Sequence, residues 1–120
     1  MREAEKDPFR LMHIKDAIEN LLETTKDLDL DKLSDKDLRF FGIVKLLEII
    51  GEASYMLTKE FRESHVMTPW KDIIGMRHIL VHGYYLVDPA YVNYTIKENL
   101  LPLKQQIVSY LAEFDNKSAD

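Results

Sequence analysis

Residues 75 to 89, "GMRHILVHGYYLVDP", carry an arginine, two histidines and two tyrosines in a run whose other members suit a helical core. An unperturbed imidazole titrates near pH ~6.5, so His82 is of the type that moves a proton at neutral pH. A guanidinium stays charged and can hold phosphate oxygens through two donors, which suits Arg77 to a phosphate whose charge is building. Residues of these two types fit proton transfer beside an anionic group, chemistry that needs no metal. His78 and His82 stand four residues apart, a spacing that can bind zinc, but no third ligand is indicated and the glutamate of "HExxH" is absent. No metal and no cofactor are expected.

Spacing also sets a difficulty. At about 100° per residue, Arg77 and Tyr84 lie roughly 20° apart around a helix, while His82 lies about 140° from Arg77. The two converge if the helix loosens at Gly83, or if a second copy of the chain brings its own arginine and histidine to a shared cleft. Spacing does not choose between these. Taken alone, Arg77 reads as a surface cation, His82 as a packing residue and Tyr84 as a boundary residue with a buried ring and a wet hydroxyl.

The elements that must hold these residues are marked by proline. Asp7-Pro8, Thr68-Pro69 and Asp88-Pro89 each set a capping side chain before a proline at the first helical position, and "SDKD" at 34 to 37 resembles a capping box. Four helices follow. The first spans about 8 to 28, with a stripe of Leu11, Ile14, Ile18, Leu21 and Leu22. The second spans about 35 to 62, with Leu38, Phe41, Val44, Leu47, Ile50 and Leu57. The third spans 69 to about 84. The fourth spans 89 to 114, kinked at Pro102, which cannot donate to residue 98. Trp70 reads as a core anchor, and Phe40, Phe41 and Met56 as core. The expected architecture is an all-α, up-and-down four-helix bundle in one domain over 1–120, with 114–120 as a frayed tail.

Composition bounds the function. The chain has 120 residues, 46% of them hydrophobic, enough for one core, and no cysteine for disulfides or thiolate metal sites. A formal net charge of -5 argues against a general nucleic-acid coat, so any RNA or nucleotide site must be local. No basic recognition helix stands out for a DNA-binding regulator. The N-terminal "MREAEKDPFR" is charged where a signal peptide would be apolar, and the most apolar window, "IVKLLEII", is too short to span a bilayer. A soluble, cytoplasmic protein is expected.

The stretch "TPWKDIIGMRHILVHGYYLVD", with "IIGEA" at 49 to 53 and "LLPL" at 100 to 103, resembles the HEPN superfamily, and within it the HepT-like toxin branch. Its signature, Arg-x4-His-x-Tyr, is met by Arg77, His82 and Tyr84. The resemblance covers nearly the whole chain. It implies a bundle that dimerises, or assembles further, to bring two signatures into one cleft. It also implies a metal-independent endoribonuclease toxin with Arg77 and His82 catalytic and RNA as substrate. The implied antitoxin partner is a minimal nucleotidyltransferase that silences the toxin by attaching AMP to Tyr84, next to Tyr85. Where the branch usually has Asn after the arginine this chain has His78, a candidate contact to substrate or to the partner motif. Glu52 in "IGEA" also resembles a family position. The alternative is an inactive nucleotide-binding or protein-interaction module of the same fold.

Overall fold

The structure, a computed structural model, describes residues 3–83 and 87–119, without the side chains of 117–119. Among these residues there is no strand, and the helices α1 (Asp7–Thr25), α2 (Leu38–Met56), α4 (Trp70–His82) and α6 (Leu100–Ala119) build a bundle of 50 × 29 × 24 Å. Two short helices, α3 (Lys59–Ser64) and α5 (Pro89–Tyr94), lie between them. Helix α1 packs against both α2 and α6, and α2 packs on its other side against α4. The expected all-helical bundle is present, but the second of the four expected rods is divided and the fourth carries a π-turn.

The second expected helix stops at Met56 because of a buried acid. Asp7 does not cap its own helix: its carboxylate is 3% exposed and accepts from the Thr58 backbone N–H at 2.9 Å and the Thr58 hydroxyl at 2.7 Å. That pairing holds Leu57 and Thr58 extended, and α3 restarts with the Thr58 hydroxyl accepting from the Phe61 N–H. A buried carboxylate without partners costs more than one broken helical turn. The fourth expected helix continues from α5 into α6 through a π-turn over Thr95–Asn99, with helical backbone on both sides of it. Pro102 offers no N–H to the Glu98 carbonyl and its ring crowds that position, which a widened turn accommodates.

Capping departs from expectation in the same way. Asp88 caps α5, accepting from the Ala90 N–H at 2.9 Å. The cap of α2 is Asp37 rather than Ser34 or Asp35, with the Arg39 N–H at 2.8 Å. The Thr68 hydroxyl is engaged by Gln106 at 2.6 Å and Tyr110 at 2.7 Å, which ties the start of α4 to α6.

Leu11, Ile14, Ile18 and Leu21 of α1 are fully buried, as the stripe predicts. On α2 the buried set is Phe40, Ile43, Leu47 and Ile50, followed by Leu57 just past its end, while Leu38 is 84% and Phe41 56% exposed. Met56 is exposed too. Apolar residues cover most of the circumference of α2, so periodicity admits two phases. Packing against α1 and α4 selects one of them and leaves the other facing outward. Trp70 is a core anchor as expected, with its indole N–H donating to the His65 carbonyl at 2.9 Å. Among the described residues no helix is long and apolar enough to cross a membrane.

Candidate active site at the seam of α2 and α4

Arg77 and His82 both lie within α4, which is regular as far as His82 and is closed by the Gly83 N–H on the Ile79 carbonyl at 2.8 Å. No glycine among the described residues has positive φ. The helix therefore does not loosen between the two residues, and within one chain they stay on different faces. His78 and His82 share a face: their rings are 4.8 Å apart, tilted by 51°, and both side chains are exposed. His82 makes no hydrogen bond to the protein among the described residues. Tyr84 and Tyr85 lie outside the described residues.

Arg77 points the other way, into the seam with α2, where its Nε is ion-paired with Glu52 Oε2. The seam is narrow because of Gly51. A Cβ added there would collide with the Arg77 Cβ and lie 3.2 Å from its Cα and Cγ. Glycine is poor in a helix interior, so a mid-helix glycine beside an acid is the signal in "IGEA" that marks this close approach. The Arg77 side chain keeps 31% of its surface exposed and Glu52 keeps 49%, so the pair sits at the rim rather than in the core.

Around Glu52 the outward face of α2 is apolar. Phe41, Ile49 and Tyr55 are all exposed and fall within about 60° of Glu52 around the axis, and Ile79 on α4 is 51% exposed. The pocket of about 300 Å³ between α4 and the π-turn lies elsewhere. It is walled by Leu47, Ile50, Met76 and Leu103, and none of Arg77, His78 and His82 lines it. Among the described residues no three His, Asp or Glu side chains gather as metal ligands.

The ribonuclease HepT-like family model matches residues 14–110, which include the seam and both signature residues described here. This chain belongs to the HepT-like ribonuclease family. It is 38% identical to a protein of Caldanaerobacter subterraneus named "Putative RNase", over 84% of this chain and 90% of that one. It is 37% identical to the "Probable ribonuclease HepT" of Thermococcus cleftensis, over 87% and 93%. A "Putative RNase" of Methanocaldococcus jannaschii is 32% identical over 81% and 89%. No solved structure matches the chain. Membership in this family places the chain among HEPN-type ribonuclease toxins.

Proposed function

We propose that the chain is a metal-independent endoribonuclease, the toxin of a toxin–antitoxin pair, whose site is completed by a second copy. The observation that carries this reading is the split within α4: a carboxylate-held arginine at the seam and an exposed histidine without a hydrogen-bond partner among the described residues. His82 takes the 2'-hydroxyl proton, the 2'-oxygen attacks phosphorus, and the P–O5' bond breaks. The departing 5'-oxygen takes a proton from solvent, His82 returns its own to solvent, and the other fragment ends in a 2',3'-cyclic phosphate. Arg77 holds the phosphate oxygens as charge builds on them. His78, on the face of His82, contacts the RNA or the second copy.

A shared cleft is favoured because α4 is continuous through both residues, and because the exposed apolar residues around Glu52 supply a surface for a second chain. The partner that silences the toxin is a minimal nucleotidyltransferase, and the acceptor is Tyr84. An AMP group there adds a bulky anion within two residues of His82, which opposes an RNA phosphate by charge and by volume.

Purified protein is expected to scatter light as a dimer, and to cleave single-stranded RNA in EDTA leaving a cyclic phosphate. Activity abolished by chelation, or RNA bound without turnover, would overturn the nuclease reading. A strict monomer that cleaves would overturn the shared cleft. Incubation with ATP and a candidate minimal nucleotidyltransferase should modify the parent and not Tyr84→Phe; a modified Tyr84→Phe protein would move the acceptor to another residue.

A further inference from the structure

We infer that Glu52 is a positioning residue for Arg77: it grips the guanidinium by its Nε edge and turns the terminal nitrogens toward the RNA phosphate. The inference rests on the ribonuclease reading above. A guanidinium has five N–H donors in a planar fork, and one carboxylate engages one edge of it. Here Glu52 Oε2 meets Nε, and among the described residues no other ion pair or hydrogen bond engages the guanidinium, so its opposite edge is left for a second bidentate acceptor. The backbone reinforces the grip. Gly51, the residue before Glu52, lets α2 approach until Arg77 rests against bare backbone, so the root and the head of the side chain are both fixed by α2.

The same contact opposes substrate binding, because a carboxylate beside a phosphate is a like charge near the rim of the bundle. Positioning and repulsion act on different kinetic constants. Without the carboxylate, RNA should bind at least as tightly, because Arg77 loses its counter-charge, but the guanidinium wanders and the chemical step slows. A residue that only stabilised the fold would not separate the two.

The test uses the full chain and labelled random-sequence single-stranded RNA, with a 2'-O-methyl version as the uncleavable probe. Glu52→Gln should lower kcat by about 10- to 100-fold, with KM unchanged or lower and the circular dichroism of the parent. Glu52→Asp, which keeps the charge on a shorter stem, should recover part of that loss. In an Arg77→Ala background, Glu52→Gln should no longer change the Kd for the uncleavable probe, since the residue it acts through is gone. Parent kinetics in Glu52→Gln, or a rise in kcat, overturns the inference, the latter making Glu52 an inhibitory contact. A fall in kcat matched by an equal rise in KM overturns it as well. If Arg77→Ala is inactive while Glu52→Gln matches the parent, only this inference fails. If Arg77→Ala is fully active, the ribonuclease reading of Arg77 fails.

Discussion

Two histidines at opposite ends of α4 show what separates a structural ring from an available one. His65, in the turn before α4, is 15% exposed in its side chain, stacked on Phe61 with ring centres 3.9 Å apart and set edge-on to Tyr110. Its Nδ1 lies 2.8 Å from the Phe61 carbonyl oxygen, and its Nε2 lies 2.9 Å and 3.2 Å from the two oxygens of Glu113 on α6. The Ser64 hydroxyl, also 2.9 Å from Nδ1, donates to the Phe61 carbonyl. Both ring nitrogens thus lie within hydrogen-bond reach of protein atoms. His82 has none of this: it is exposed, with only the His78 ring beside it among the described residues. The better-built site is therefore the less useful one. A histidine whose ring nitrogens are both engaged holds α6 in place, whereas an exposed ring with no hydrogen-bond partner among the described residues is the kind that the proposed reaction requires.

Replacing each ring in turn is the strongest way to break that contrast. His82→Ala should reduce RNA cleavage by about 100-fold or more and leave the melting temperature within a degree or two of the parent, since an exposed ring contributes little packing. His65→Ala should do the reverse. Loss of a charge-assisted bond and of ring stacking should cost about 2–3 kcal/mol of stability, with cleavage per folded molecule retained. Urea denaturation and single-turnover cleavage on the two proteins decide it. A destabilised His82→Ala protein, or a stable but inactive His65→Ala protein, would exchange the two roles.

A smaller effect sharpens the same distinction between closed and open environments, using two glycines of one helix. Gly51 sits against Arg77, whereas Gly42 has nothing within 4 Å of an added Cβ. Gly42→Ala should stabilise the protein by roughly 0.5–1 kcal/mol through reduced freedom of the unfolded chain and better helix propensity. Gly51→Ala should destabilise by about 1–3 kcal/mol, because the methyl forces α2 and α4 apart, and it should reduce cleavage by displacing Arg77. If both substitutions stabilise, the approach of the two helices at Gly51 is looser than the geometry states.

How much of this was legible in the sequence depends on whether the decisive contact is local. The α1 stripe, the Asp88 cap and the Trp70 anchor were readable because helical spacing and capping chemistry are short-range. The Asp7–Thr58 pairing spans 51 residues, and no periodicity signals it, so the break before α3 was not readable. Helix α2 was ambiguous for another reason. Its apolar residues nearly encircle it, and only the placement of α1 and α4 decides that Phe40 is inside and Phe41 outside. At the candidate site, the motif pointed to Arg77 and His82, and helix arithmetic set them on different faces of a helix that is continuous through both. The partner of Arg77 lay hidden in "IGEA", because an ion pair across two helices leaves no pattern beyond the out-of-place glycine.

The smallest expected effect concerns a charged pair that is neither buried nor reactive. Asp37 and Arg39 meet at the surface where α2 begins, with Arg39 Nη2 2.9 Å from Asp37 Oδ2. The Arg39 side chain first, and then the Arg39 backbone N–H, hold the Asp37 carboxyl down from its ordinary 3.8 to about 2. A carboxyl lowered in the folded state adds stability above its unfolded value, and that stability is lost as pH falls through the folded one. The first turn of α2 should therefore stay capped at pH 4 and loosen only as pH approaches ~2. Because the pair is solvated, the change in global stability should be slight, and the reporter must be local. An NMR titration following the Asp37 carboxyl and the Arg39 amide should show a shared midpoint near 2. In Arg39→Ala the midpoint should rise toward 3.8 without disturbing the rest of the bundle. A parent midpoint already at 3.8 would mean that Arg39 does not hold the cap, and α2 would then start on the strength of its packing against α1 and α4 alone.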